Sequence, residues 1–349
     1  MNKYTFYLKC VIIKSVSKEG WIVKKCTIIY NPHSGRKVKT NFLAAYVDIL
    51  LEHDYDPEVI FSKYKGHIKK IVEELPECDL VISIGGDGTF NEAVTGNLRR
   101  EKRLLLSHIP LGTTNDIGAM FGYGSDIIDN LKKLLNGEER NIDICTVNKK
   151  PFVYVSGFGK FMTIPFETSR ISKKNLGRLA YLKDGVKEFF STTRLHELTY
   201  RVNGEEYKGL FSFILVSNAN HIAGINNFYN NVYLNDGKFE VLFCNLNRRK
   251  DVIKSLLYLA TSDITKVPGF YFYKTDKLEI EFAKETDKWC IDGEELEEKN
   301  KKYTIEMIKE FKILLPKKNL DNLFVEGKGK KEKEKKNNIV NKVKSIIKK

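Results

Sequence analysis

Between about residues 26 and 143, short apolar strands alternate with segments of helical period, and this alternation constrains the fold more than any other feature of the chain. The order is "CTIIY", a helix through "FLAAYVDILLEH", "PEVIF", a helix through "HIKKIVEEL", "DLVISI", a helix that opens on glycines, and "LLLSHIP". Strands joined by helices at this spacing make right-handed crossovers and predict a mainly parallel sheet. Ligands of such sheets bind beyond the carboxyl ends of the strands. Three loops occupy that position: "NPHSGR" at 31–36, "GGDGT" at 85–89 and "GTTND" at 112–116. Each supplies glycine with hydroxyl or amide side chains ahead of a helix. Backbone N–H groups can therefore close on an anion, and the helix terminus adds partial positive charge.

A phosphorylated ligand is the natural guest, although the chain has no GxxxxGK[ST] P-loop and no GxGxxG followed by an acidic residue about 20 positions on. Asp87 is the informative residue. A carboxylate among phosphate-binding amides repels the ligand unless Mg²⁺ or a substrate hydroxyl lies between them. A single Gly-Gly-Asp-Gly is often only a tight turn; three such loops at successive strand ends argue for a site.

Beyond Asn148 the texture changes to short strands, "PFVYVSG", "LTYRVN", "YKGLFSFILVSN", "KFEVLFCN", "FYFYKTDKLEIEF" and "KWCIDGEEL", with helical stretches around "GRLAYLKDGVKEFF" and "DVIKSLLYLAT". This predicts an α/β domain over 23–147 and a largely antiparallel, β-rich domain over 148–300. The strand-like "YTIEMIKEFKILLP" fits either one. Taken alone, "DGE" at 292–294 and "NDGKFEV" at 235–241 read as solvated or hairpin turns.

The net charge of +14 invites a nucleic-acid reading until it is located. Residues 327–349 hold ten Lys against two Glu, and residues 1–22 hold four Lys against one Glu, so the body is nearly balanced. No basic, aromatic-interleaved face remains to bind nucleic acid. Cys10, Cys26, Cys78, Cys145, Cys244 and Cys290 lie far apart with no CxxC pair, which predicts buried, reduced thiols and a cytoplasmic setting. No apolar run approaches the roughly 18 residues of a membrane span. At the start of the chain, Lys9 interrupts the apolar stretch and no small-residue cleavage site follows, unlike a secretory signal. "KEG" at 18–20 can be encoded by a ribosome-binding sequence and Val23 by a GTG start codon, so residues 1–22 are expected to be a translated leader or a disordered extension.

"IIYNPHSGR", "IGGDGTFNEAVTG" and "IPLGTTNDIG", in this order and spacing, resemble the catalytic domain of the diacylglycerol kinase and lipid kinase family, above all its soluble bacterial diacylglycerol kinases. The resemblance continues through "IDICTVN", "SKKNLGRLAYLKDGVKEF", "NANHIAG", "LNDGKFEVL" and "WCIDGE", and covers about residues 24 to 325. "GGDGT" alone is shared with NAD kinases and sphingosine kinases; "FNE" and "GTTND" point to the lipid branch. The resemblance implies a nucleotide-binding α/β domain and a β-sandwich-like domain that close a cleft, with 301–325 returning to the first domain. ATP would bind through Asn31, Ser34, Gly35, Arg36, Gly85, Gly86, Gly88, Thr89, Glu92, Gly112, Thr113, Thr114 and Asn115. Asp87 matches the essential aspartate of the glycine motif, and Asp116 an acidic position in a charged network with metal-bound water. Asp292 and Glu294 match the "DGE" carboxylates, Glu294 being the expected general base. Asp236 and the carbonyl of Leu234 match a structural Mg²⁺ site away from the chemistry.

Three departures stand out. Arg36 followed by Lys37 replaces a lysine after "SG", Asn235 sits where an acidic residue is common, and Phe158 sits where a glycine is frequent. The implied reaction is transfer of the γ-phosphate of Mg·ATP to diacylglycerol, with phosphatidylglycerol, ceramide or a sphingoid base as other acceptors. A catalytically weak lipid sensor is the reading from another class, against which the intact Asp87, Asp116 and Glu294 argue. A lipid acceptor places the protein peripherally at the inner face of the bacterial plasma membrane. In the tail over 326–349, Ile339, Val343, Ile346 and Ile347 fall at helical spacing among Lys342, Lys344, Lys348 and Lys349, a pattern that can dock on anionic lipid or stay disordered. Family habit suggests a homodimer.

Overall fold

The computed structural model describes residues 23–34, 41–113, 115–159, 195–219, 221–222, 225–226, 229, 231–246, 265, 267–285, 289–292, 294–296, 300–317 and 323–327. The expected leader, the expected helical stretches around 177–190 and 251–261, and the Lys-rich tail beyond residue 327 lie outside them.

The first half alternates as its periodicity dictates. β1 (Lys24–Tyr30), β2 (Tyr55–Phe61), β3 (Leu80–Gly85) and β4 (Leu106–Pro110) are separated by α1 (Phe42–Glu52), α2 (His67–Glu74) and α3 (Asp87–Leu98), and pair in parallel in the order β2-β1-β3-β4. Every residue of β3 is buried, as a parallel strand covered on both faces requires. After β4 come the short helix α4 (Asp116–Met120) and α5 (Ile127–Leu135). Asp126 caps α5, accepting the N–H groups of Ile128 and Asp129 at 2.9 and 3.0 Å.

The second half is antiparallel. β7 (Val155–Phe158), β10 (Phe213–Ser217), β13 (Phe239–Cys244), β14 (Phe270–Thr275), β16 (Trp289–Ile291) and β17 (Glu294–Glu295) form a six-stranded sheet in the order β14-β13-β10-β7-β16-β17. The remaining strands do not make a sheet of their own. β15 (Lys277–Phe282), β8 (His196–Val202) and β9 (Glu205–Phe211) extend the parallel sheet beyond β18 (Lys302–Leu315), giving one sheet of ten strands that includes β5 (Glu138–Val147) and β6 (Lys150–Phe152). β18 is the seam. Ile313 pairs in parallel with Leu106 of β4, whereas Lys302–Glu306 pair antiparallel with β15. A bulge between Ile308 and Phe311, with Glu310 at φ 60°, turns the strand between the two regimes.

The six-stranded sheet packs on this antiparallel extension. Phe158, Ile214, Val216, Phe239, Val241, Phe243 and Trp289 from one leaf share a core with Leu198, Tyr200, Leu278, Ile280, Tyr303 and Ile305 from the other. The sandwich is therefore half built from the ten-stranded sheet. Two runs read as single strands in the sequence, "YKGLFSFILVSN" and "FYFYKTDKLEIEF", break at Ser212 and Asp276, and their halves lie in different sheets. Such corners are how strands pass between packed layers. At the second break the Thr275 hydroxyl donates to the carbonyl of Lys277 at 2.8 Å. The five cysteines among the described residues are free, and all but Cys78 are buried. No helix among the described residues is long and apolar enough to cross a membrane.

Candidate active site

Because β1, β3 and β4 are parallel neighbours, their three loops leave one edge of the sheet side by side. Asn31 braces the first loop against the second. Its amide donates to Thr89 Oγ1 at 3.0 Å, its side-chain oxygen accepts the N–H of His33 at 3.0 Å, and its carbonyl accepts the Ser34 hydroxyl at 2.8 Å. The second and third loops touch through backbone. A Cβ on Gly112 would stand 2.6 Å from Gly86 Cα, and a Cβ on Gly85 would run into the Thr89 side chain, so glycine is required at both places. Gly88, by contrast, has open space where its side chain would be, in the first turn of α3, which carries no side-chain cap. Asn115 takes a left-handed conformation at φ 53°, tolerable for asparagine. It folds its amide back on Gly112, accepting that residue's N–H at 2.6 Å and donating to its carbonyl at 3.0 Å.

The carboxylates of the site are arranged around α3 and α4. Asp87 accepts the N–H groups of Asp116 and Ile117, both at 3.2 Å, and so sits on the amino end of α4. Asp116 is buried and pairs through Oδ1 with His221 Nε2 at 3.1 Å. His221 belongs to β11 (His221–Ile222) in the "NANHIAG" segment, which pairs with β12 (Ile225–Asn226) just after it. One turn along α3 from Asp87, about 6 Å by helical rise, Asn91 donates to Asp292 Oδ2 at 2.6 Å and to the carbonyl of Pro151 at 3.2 Å. Asp292 also accepts the N–H groups of Val153, Tyr154 and Val155 at 2.9, 3.0 and 3.0 Å, and holds a left-handed turn at φ 46° between β16 and β17. Burial pushes its carboxyl up to about 6, against the pull of those donors. One connected unit thus joins the glycine loops to the "DGE" turn.

Sequence reasoning placed Asp87, Asp116 and Asp292 in this unit and missed its connectors, Asn91 and His221. Asn91 could have been found by its spacing of four from Asp87, which puts both on one helix face. Glu92 lies elsewhere: both its oxygens accept N–H groups, from Gly66 at 2.8 Å and Ile68 at 3.1 Å, so it caps α2. Thr113 follows Gly112 in the third loop. Gly35, Arg36, Thr114 and the side chain of Glu294 lie outside the described residues; the backbone of Glu294 pairs with Ile291 across the turn that Asp292 anchors.

The residues implied for a structural Mg²⁺ do not fit one. The carbonyl of Leu234 accepts the N–H of Asp143 at 2.6 Å. Asp236 gives Oδ2 to Lys274 Nζ at 2.7 Å and Oδ1 to the N–H of Lys238 at 3.1 Å, while Asn235 donates to Glu326 at 3.0 Å. Burial works against the charge of Lys274, but Glu240 and Asp236 outweigh it and its pKa is raised. Among the described residues no group of three or more His, Cys, Asp or Glu side chains is arranged around a common metal position.

Comparison with known proteins bears on what such a unit does. The profile of the diacylglycerol kinase catalytic domain family matches residues 25–147, which contain all three glycine loops. The diacylglycerol kinase of Bacillus subtilis (strain 168) is 32% identical over 223 residues, covering 63% of this chain and 73% of the relative. That of Staphylococcus epidermidis is 26% identical over 261 residues, covering 74% of this chain and 82% of the relative. A crystal structure of a diacylglycerol kinase from Bacillus anthracis str. Sterne superposes with a TM-score of 0.67 at 22% identity, over 84% of this chain and 97% of that one, and shows the same fold. Loops, connected carboxylates and relatives agree, and the chain belongs to the diacylglycerol kinase family.

Proposed function

We propose that the protein is an ATP-dependent lipid kinase that transfers the γ-phosphate of Mg·ATP to the free hydroxyl of diacylglycerol, giving phosphatidic acid. The observation that carries this reading is the continuous path from Asp87 through Asn91 to Asp292. It ties the phosphate-cradling loops to the turn that bears Glu294.

Phosphoryl transfer needs held phosphates, an in-line hydroxyl and a base beside the attacking oxygen. The amides of the Gly86–Gly88 turn, at the uncapped first turn of α3, receive the phosphates of the substrate Mg·ATP, with Arg36 adding charge from the first loop. Asp87 lies beside those amides and orients the phosphoryl donor or the acceptor. Asp116, held by His221, fixes the α4 end of the loop pair. Asp292 is positional: pinned by four donors, it sets the turn from which Glu294 takes the proton of the acceptor hydroxyl. Since the lipid sits in a bilayer, the enzyme works peripherally at an anionic cytoplasmic membrane surface, and the basic tail supplies one means of attachment.

Glu294→Gln tests the base directly. The proposal expects kcat to fall by at least about 100-fold with ATP binding kept, the range for loss of a general base. Turnover like the wild type would remove Glu294 from that role.

A further inference from the structure

The Asp236 turn holds an internal cation. Lys274 of β14 lies opposite Glu240 of β13 across the antiparallel ladder. Its ammonium group meets three acceptors: Asp236 Oδ2 at 2.7 Å, Glu240 Oε1 at 3.1 Å and the carbonyl of Asn231 at 3.0 Å. The Tyr233 ring lies 5.5 Å away on a further side. Two of these oxygens belong to carboxylates that pair with its charge, and the third, the Asn231 carbonyl, accepts a hydrogen bond from it. Glu240 is only 1% exposed; its contact with Lys274 is an ion pair outside hydrogen-bond geometry, and Glu240 Oε2 has no hydrogen-bond partner. Without Lys274 the buried Glu240 would lose the ion pair that compensates its charge.

The turn also joins distant parts of the fold. Leu234 binds the N–H of Asp143 on β5 through its carbonyl and the carbonyl of Leu323 through its own N–H. Gly237 donates to Asp143 Oδ2 at 2.7 Å, and Asn235 meets Glu326 and the N–H of Val325. A cation at this place therefore fastens the six-stranded sheet to β5 and to the segment at 323–326.

We propose that the ammonium group of Lys274 takes the place of a divalent cation at the Asp236 turn, so that the junction is held by a built-in charge and requires no metal. The inference does not depend on which lipid is phosphorylated. Asp236, Glu240 and the Asn231 carbonyl are hard oxygen donors of the kind Mg²⁺ and Ca²⁺ accept. Truncating Lys274 converts an ammonium cage into an oxygen cage.

The test is thermal unfolding of the full-length, nucleotide-free protein in EDTA and in about 10 mM MgCl₂ or CaCl₂, where a bound ion raises Tm by mass action. Wild type should shift by less than ~1 °C, and Lys274→Ala should melt several degrees lower in EDTA and recover most of the loss with either ion. A wild type that itself gains several degrees, with the gain abolished in Asp236→Asn, would overturn the proposal. So would a Lys274→Ala variant that melts as wild type does, or one that melts low and ignores both ions. Should Lys274→Ala not fold, Mn²⁺ titration followed by electron paramagnetic resonance decides on wild type and Asp236→Asn: equal bound Mn²⁺ supports the built-in cation, and a site present only in wild type refutes it.

Discussion

At the start of α3 the carboxylate of Asp87 meets the amino end of α4 through long hydrogen bonds from the N–H groups of Asp116 and Ile117, both at 3.2 Å, beside an exposed glycine. At the turn between β16 and β17 the carboxylate of Asp292 accepts four, from 2.6 to 3.0 Å. Both are Asp-Gly pairs, and the sequence offers no local sign that they differ. The geometry separates them by what each carboxylate holds and what lies beside it. Asp292 is saturated and structural, a fastening between α3 and the second sheet. Asp87 sits on the amino end of α4, beside Gly88, whose side-chain position is open space where a ligand can approach. Asn91 connects the two, so the strength of one sets the position of the other.

Removing Asp292 should cost most. Asp292→Ala leaves three backbone N–H groups and the Asn91 amide without their acceptor, and each buried unpaired donor costs about 1–3 kcal/mol, so a loss of about 3–5 kcal/mol is expected in urea unfolding. The pH dependence carries a defined sign. The folded value of about 6 lies above the ordinary 3.8, so the stability contributed by this titration is fully present below pH 3.8 and is lost as pH rises through about 6. The stability difference between wild type and Asp292→Asn should therefore fall across that window, by on the order of 3 kcal/mol, and be flat above it. A flat difference throughout would mean that the four donors offset burial and hold the carboxyl at its ordinary value.

The glycine contact comes next. Gly112→Ala puts a Cβ against Gly86 Cα and Asn115 Oδ1, 2.6 and 2.8 Å away, so the second and third loops must part. About 1–3 kcal/mol of stability should be lost, as for other overpacked sites, together with a several-fold rise in KM for ATP. Stability loss with unchanged KM would separate this contact from nucleotide binding. The smallest effect should be at Glu92. Glu92→Gln weakens the cap on α2 by about 0.5–1 kcal/mol, and the KM for ATP should stay where it was; a rise would return Glu92 to the nucleotide site.

The parallel sheet and its three loops were legible because their signals are local: apolar runs of strand length, helical period between them, and glycine with hydroxyl groups where each strand ends. The corners at Ser212 and Asp276 were not, because a continuous apolar run looks the same whether it stays in one sheet or crosses to another. The break is set by the opposite layer. Asn91 and Asp292 are 201 residues apart, and no pattern of spacing pairs residues at that separation. Asp236 was legible as an acidic turn, but its partner Lys274 lies on another strand, where a lone lysine reads as surface charge.

The central claim is that the Asp87 side of this comparison performs phosphoryl transfer to a lipid. It is tested most directly by following labelled γ-phosphate from Mg·ATP to diacylglycerol, phosphatidylglycerol, ceramide, sphingosine and NAD in mixed micelles, with Asp87→Asn alongside. The account predicts strong labelling of diacylglycerol by wild type, reduced by at least about 100-fold in Asp87→Asn, in line with loss of a group acting on the transition state. Wild-type protein that binds ATP yet labels none of the five acceptors, or an Asp87→Asn variant that labels diacylglycerol as well as wild type does, would contradict it.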